Sequence, residues 1–503
     1  MKFLRTYKLE IVISILLIAI YFATRILTIL QVPIFTDEAI YLRWTQIASQ
    51  DSNWRFISLT DGKQPLYIWL AIISMKFIAD PLVAGRVVSV VAGLMTVIGL
   101  FFLGKDVFGS RWVGLLSGAL YVFFPFSLVY DRLALYDSLV GTFAVWALYF
   151  SVRFVRKTTL ENAFILGFVA GGAVLNKSSG FFTIYLLPFG LLLFDFTQKK
   201  AVRKLFSFGI YSFVAVVLTY AIYSILRLSP YFYIIAQKDA IFVYPISEWM
   251  THPFTYLWSN STALFDWLMR YVGLPILLFA LGSIFISKTY WKEKILFLIW
   301  FLAPFAALAL FGRTIYPRYI LFMSLPLLVL ASYSAIELMK RARNNYGKVG
   351  IVFGLGIFSV VAFIMILKDP VHSLMPRSDV AQLISGWPSG KGVNESISFF
   401  REQASHEKIF IGTGGTFGLL PFAYEIYLIK DPQITIQGYW PIDNAFRDDL
   451  LEKAKTMKTF VVFYQDCPGC PGTGIAPKDW NLKKVLQVRK DDMKSFYTVY
   501  QVL

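Results

Sequence analysis

The sequence predicts a polytopic α-helical membrane domain of about eleven spans (thirteen at most) with interfacial helices on its outer face, followed by a small soluble α/β domain. Three observations predict it. The 503 residues are 57% hydrophobic and only 16% charged, with a mean hydropathy of +0.60. Apolar windows long enough for the roughly 20 helical residues that cross a bilayer core recur through the first two thirds of the chain. Past residue 368 the pattern changes to short alternating runs separated by polar, helix-like stretches.

The windows fall at about 9–30, 83–104, 112–130, 137–153, 161–176, 180–196, 205–226, 271–287, 295–311, 318–338 and 349–367. The first is too long for a signal peptide and lacks a small-residue cleavage site, so it is expected to be retained. Lys2, Arg5 and Lys8 put the N-terminus in the cytoplasm. With eleven crossings every later basic cluster also lands inside, from Lys105 and Arg111 to Lys340, Arg341, Arg343 and Lys348. The apolar stretch 64–79 would break that parity, so it is expected to lie on the outer surface. The protein is therefore expected in the plasma membrane, multi-pass, with its C-terminal domain extracytoplasmic. The formal net charge of +17 is dispersed between apolar windows. That pattern fits membrane orientation and excludes a nucleic-acid partner.

The domain boundaries follow: a membrane domain at 1–367 and an extracytoplasmic α/β domain at 368–503. In the latter, strands are expected at 408–414, 433–440, 459–465 and 495–503, with helices at 417–429 and 445–457. Strand–helix alternation points to a mixed or partly parallel sheet.

Charged residues gather where outer loops meet the membrane. "TDEAIY" (36–41) carries Asp37 and Glu38. "TDGKQPLYIWL" (60–70) carries Lys63, with Pro65 before an aromatic helix. "YDRLALYDSLVGTF" (130–143) carries Asp131, Arg132 and Asp137, and Asp131 is expected to pair with Arg132. "LNKSSGFF" (175–182) carries Lys177, and "FGRTIYPRYILFMSLP" (311–326) carries Arg313, Tyr316, Arg318 and Tyr319. Carboxylates and cations at the lipid–water boundary suit a site that holds a lipid phosphate and activates a hydroxyl or amine beside it. For each residue a plainer part exists: helix capping for Asp37, snorkelling for Arg313 and Arg318, boundary anchoring for Lys63 and Lys177.

These five motifs, in this order over roughly residues 1–340, resemble those of the GT-C superfamily of membrane glycosyltransferases. Family 39 protein mannosyltransferases and lipid A aminoarabinose transferases are the most similar groups. The stretch 385–400, "SGWPSGKGVNESISFF", also resembles the start of the outer domain in bacterial or archaeal members. The resemblance implies transfer of a hexosyl or pentosyl unit from a polyprenyl-phosphate-linked sugar donor to a lipid, glycan or protein acceptor, in contact with membrane lipid. In that chemistry Asp37 is expected to act as general base, Glu38 to orient it, and Asp137 to help position the acceptor. Lys63, Arg132, Lys177, Arg313 and Arg318 are expected to bind the donor phosphate. Tyr41, Tyr67, Tyr316 and Tyr319 are expected to line the substrate. A single displacement with inversion follows from having the carboxylates on one face. No cofactor and no metal ligand set are assigned, although a divalent metal is compatible with the carboxylates.

The chain departs from the family pattern at three points. Gln64 separates Lys63 from Pro65, Gly62 stands where the aminoarabinose enzymes have an acidic residue, and Ile40 where they have an arginine. The changes at Gly62 and Ile40 weigh against aminoarabinose as the sugar. A transporter or a lipid or glycan flippase is the rival class, but its binding residues belong near the bilayer midplane, often in repeats, and no repeat is visible. A polymerase or ligase moving whole oligosaccharides would share the lipid-phosphate logic.

The remaining motifs are weaker. "GTGGTFG" (412–418) reads as a tight connection rather than a nucleotide loop. Cys467 and Cys470 in "CPGC", the only two cysteines, are too few for a zinc site and suit a local disulfide outside the cell. His252 reads as a plain loop histidine, and 260–262 and 394–396 are glycosylation sequons on the outer side.

Overall fold

A computed structural model of the chain describes residues 7–466, 477, 480–491 and 495–503; Cys467 and Cys470 lie outside the described residues. The main helices of the first half are α1 (Lys8–Ile26), α2 (Thr36–Gln50), α3 (Leu66–Met75), α4 (Pro81–Phe108), α5 (Arg111–Val122), α6 (Pro125–Tyr130), α7 (Asp137–Arg156), α8 (Leu160–Asn176) and α9 (Ala201–Tyr223). They are followed by α10 (Ile234–Phe242), α11 (Leu257–Tyr271), α12 (Gly273–Ile286), α13 (Trp291–Phe311), α14 (Leu321–Arg341), α15 (Asn345–Lys368), α16 (Val393–Ala404), α17 (Leu419–Leu428) and α18 (Asn444–Ala454).

Among the described residues, seven helices are long and apolar enough to cross a membrane, or eight if the bent pair α11–α12 is one span. The sequence expectation was eleven. The difference lies in four windows. Pro125 starts a new helix, so 112–130 is split between α5 and α6. Helix α8 has 17 residues, just under the length of a span, and 178–193 is a short helix flanked by 3-10 turns. The window at 271–287 lies largely in α12, which meets α11 at 101°. Helix α3, at 10 residues, rises only about 15 Å and is half the length a crossing needs. The stretch at 64–79 therefore contains no spanning helix.

The chain divides into two compact units. The membrane unit comprises residues 1–28, 55–70 and 86–376; the second comprises 29–54, 71–85 and 377–503. The second unit thus joins two early segments, 29–54 and 71–85, to the C-terminal part of the chain.

In the membrane unit small residues set the helix spacing. A Cβ on Gly104 would sit 2.8 Å from the Gly114 backbone, so α4 and α5 touch backbone to backbone. The turn between α6 and α7 is tied by a buried carboxylate. Asp131, fully buried, accepts hydrogen bonds from Tyr21 (3.0 Å), Tyr121 (3.1 Å) and Ser138 (2.9 Å). Its recorded ion pair is with Arg25, at 4.0 Å, rather than the neighbouring Arg132 that the sequence pointed to. Arg25 in turn donates to the Val122 carbonyl and the Ser127 hydroxyl.

In the second unit the sheet order is β2–β1–β3–β5–β4, where β1 is Ile409–Gly414, β2 Ile434–Tyr439, β3 Lys458–Asp466, β4 Leu482–Arg489 and β5 Phe496–Val502. Strand β1 runs parallel to β2 and β3; β5 is antiparallel to β3 and β4. The crossovers carry α17 and α18. Phe446 and Leu450 of α18 pack on Phe410, Val461 and Phe463. The mixed sheet agrees with the sequence expectation, whereas β4 and α16 were not foreseen.

Asp131→Ala strips the buried Arg25 guanidinium and three hydroxyls of their shared acceptor. The expected cost is about 3–5 kcal/mol, read as a lowered midpoint of thermal unfolding in detergent. An unchanged midpoint would show that the cluster does not stabilise the membrane unit.

Candidate functional site

In the membrane unit the site is built from the segment before α3. A 3-10 turn at Ile57–Asp61 ends on Gly62, whose φ of 66° and ψ of 22° are left-handed. There Gly62 N–H donates to Leu59 and Lys63 N–H to Ser58, a helix-ending arrangement that favours glycine. Glycine is required here a second time. A Cβ at Gly62 would lie 2.5 Å from Lys238 Cβ and 2.9 Å from the Ile234 carbonyl oxygen. Helix α10 thus rests directly on this turn, and Ile235 packs with Leu59, Leu175 and Leu226. Lys238 of α10 pairs with Asp61 at 2.5 Å.

Lys63 follows, its ammonium 5.2 Å from the Phe242 ring centroid. Gln64 is buried, and its amide donates to the Ser178 hydroxyl at 2.8 Å. Ser178 in turn donates to the Asp239 carboxylate at 3.0 Å. Burial pushes the Asp239 carboxyl above the usual carboxylate range, and the Ser178 hydrogen bond and the Lys63 charge act against that shift.

Phe242, the last residue of α10, joins this group to the others. Its ring meets Tyr319 edge-on at 6.4 Å, and its carbonyl accepts from Arg313 N–H at 2.8 Å. An isolated bridge between Val243 and Gly312 continues the contact. Tyr319 lies 5.7 Å from Tyr316 at right angles and under the Lys177 ammonium, at 4.8 Å. Arg318 stands 5.0 Å from the Tyr316 ring and Arg313 5.5 Å from Tyr244. Lys177, just past the end of α8, donates to Asp137 at the start of α7 at 2.7 Å.

Of the residues singled out from sequence, Lys63, Asp137, Lys177, Arg313, Tyr316, Arg318 and Tyr319 thus belong to one network. Arg132 is 1% exposed, and its guanidinium donates to the Leu128 carbonyl and the Thr28 hydroxyl. Tyr67 is fully buried, 5.1 Å from Tyr136. Gln64, Ser178, Asp239 and Phe242 were missed. Lys-Asp at 238–239 was a visible signal in the long loop, but nothing in one dimension connects it to Lys63.

Asp37, Glu38 and Tyr41 fall in the second unit. Asp37 and Glu38 open α2, where the helix dipole favours acidic groups. Glu38, fully buried, accepts from Phe35 N–H at 3.0 Å and so caps the helix. The entry to α2 is held by the C-terminal part of the chain. Thr36 N–H and its hydroxyl both donate to the Pro388 carbonyl, at 3.0 and 2.9 Å. Buried Lys490 clamps that loop through the Gly386 and Ser389 carbonyls, at 3.1 and 3.0 Å. Tyr41 is buried beside Trp44 at 5.9 Å. Among the described residues no three His, Cys, Asp or Glu side chains are grouped closely enough to hold a metal ion.

Residues 62–225, from Gly62 to just past α9, match the sequence model of the dolichyl-phosphate-mannose-protein mannosyltransferase family. The whole chain shares its fold with solved structures. ArnT from Cupriavidus metallidurans, in the apo state, is 13% identical over 99% of this chain and 98% of that one, with a TM-score of 0.57. The same protein bound to undecaprenyl phosphate matches at 13% identity over 98% of each chain, again with a TM-score of 0.57. The archaeal oligosaccharyltransferase AglB from Archaeoglobus fulgidus, in complex with an inhibitory peptide and a dolichol-phosphate, is 12% identical over 91% of this chain and 70% of that one, with a TM-score of 0.53. Among curated proteins none matches the chain by sequence. The chain has the fold of the GT-C membrane glycosyltransferases.

Gly62→Ala forces a side chain into a left-handed position and against Lys238. The expected loss exceeds about 1 kcal/mol, read as earlier thermal unfolding in detergent. Wild-type melting in the variant would mean that α10 does not rest on Gly62.

Proposed function

We propose that the protein moves a monosaccharide from a polyprenyl-phosphate donor to a lipid, glycan or protein acceptor on the outer face of the membrane. The observation that carries the reading is the aromatic network of the membrane unit, in which the Lys63 ammonium lies by Phe242, Lys177 by Tyr319, Arg318 by Tyr316 and Arg313 by Tyr244. Several cations beside aromatic rings suit a membrane-anchored phosphate, and the relatives solved with undecaprenyl phosphate and dolichol-phosphate support that ligand class.

In the reaction the acceptor oxygen or nitrogen bonds to the anomeric carbon as the bond from that carbon to the phosphate oxygen breaks. The electron pair leaves with the phosphate, whose growing negative charge the cations stabilise. The acceptor proton passes to a carboxylate. Asp37, in the first turn of α2, takes that part as general base. Glu38, whose carboxylate holds the Phe35 amide, fixes the backbone that carries Asp37. Asp137 is held by Lys177 and helps place the acceptor. One displacement inverts the anomeric configuration, with no covalent enzyme intermediate.

The test of function is to supply the purified protein with a panel of radiolabelled polyprenyl-phosphate sugars and follow label into lipid and protein fractions. Label remaining in every donor would defeat the reading. In the active pairing, Asp37→Asn keeps shape and removes the base, and is expected to lower turnover on the order of a hundredfold or more with donor still bound. Turnover near wild type would take Asp37 out of the mechanism. The orientation proposed from the basic clusters, N-terminus inside and C-terminal domain outside, is checked in a chain with Cys467 and Cys470 replaced by serine. A cysteine at the exposed position of His372 should react with an impermeant maleimide added outside intact cells. Labelling only after the membrane is opened would reverse the orientation.

A further inference from the structure

Asp239 poses a problem of charge. It lies among groups suited to an anion, yet it is part of the protein. The Gln64 amide donates to the Ser178 oxygen, which leaves the Ser178 proton directed at Asp239. The Lys63 charge acts on the same carboxylate. A hydroxyl donor and an ammonium are common partners for a phosphate oxygen.

Helix α10 does not need Asp239 to stay in place. It is already held by the Lys238–Asp61 ion pair, by Ile235 in its apolar cluster, and by Phe242 and Val243 against 312–313. Keeping a carboxylate here also opposes its own ionisation, since burial raises its pKa.

Building on the function proposed above, we propose that Asp239 is a specificity-determining residue of the donor site. Its carboxylate takes the hydrogen bond of the Ser178 hydroxyl, within the field of the Lys63 ammonium, where a phosphate oxygen would bind. It therefore weighs most heavily against the ligand with the greatest negative charge. A sugar-linked polyprenyl phosphate is a phosphodiester with one negative charge. The polyprenyl phosphate left after transfer is a monoester, carrying about −1.5 to −2 at neutral pH. Asp239 repels the spent carrier more than the fresh donor, and so favours its departure. Release of product limits turnover in many enzymes, which gives the residue a place in the cycle without contact with the anomeric carbon.

The experiment compares two probes in the full-length protein in detergent: a short-chain polyprenyl phosphate and its methyl phosphodiester, each with a fluorescent tail. In Asp239→Asn the monoester is expected to bind on the order of tenfold tighter, a shift of about 1.4 kcal/mol. The diester should gain clearly less, so the ratio of the two affinities changes. Asp239→Ser provides the same comparison if the asparagine variant does not fold. An unchanged ratio in a folded variant, whether both probes weaken together or neither moves, makes Asp239 a structural tie and overturns the proposal. Failure of both probes to bind wild type, where Lys63→Ala is the reference for lost binding, defeats the functional reading itself.

Discussion

The ion pair between Asp137 and Lys177 is the contact on which the arrangement of this end of the membrane unit depends. It joins the start of α7 to the end of α8, two helices packed side by side. Each charge sits where its own helix dipole favours it, an acid at an N-terminus and a base at a C-terminus. In a bilayer every backbone group within the core must be satisfied inside its own helix, so charged side chains concentrate at helix ends. From Lys177 the network extends in two directions. The ammonium reaches Tyr319 and the 311–320 turn, and the next residue, Ser178, reaches Gln64 and Asp239.

Helix α10 brings these threads together. It is only nine residues long, too short to be stable alone. Its position comes from contacts at both ends: Gly62 under Ile234 and Lys238, and the 311–314 backbone beside Phe242 and Tyr244. The single residue without a side chain at 62 is what lets a helix more than 170 positions later lie over Lys63. The acidic residue expected there from the family pattern would have no room.

The second unit has its own dependence. Asp37 is placed by α2, and α2 enters through Thr36, which is bound to the Pro388 carbonyl. Lys490 is buried and directed at carbonyls of that same loop, where a desolvated ammonium requires such acceptors. Arg43, further along α2, pairs with Glu425 of α17. Early and late parts of the chain are therefore one folded body, and the acidic pair rests on residues more than 350 positions away.

Much of this was legible in one dimension, and the rest was not, for a physical reason. Hydropathy and helix length identified the membrane domain, the basic clusters separated its windows, and alternation identified four of the five strands. Cations and carboxylates near helix ends could be named because a bilayer permits them in few other places. What the sequence by itself determined was which residues bear charge beside the apolar windows, and that the stretch at 64–79 is too short to cross. Only the tertiary structure decided which of those charges meet. It put Asp131 on Arg25 rather than on its neighbour, enclosed Arg132, made Glu38 a helix cap, and set Asp239 on Ser178. Periodicity reports which face of an element is apolar; the partner across that face is chosen by close packing of distant segments, and no local pattern records it.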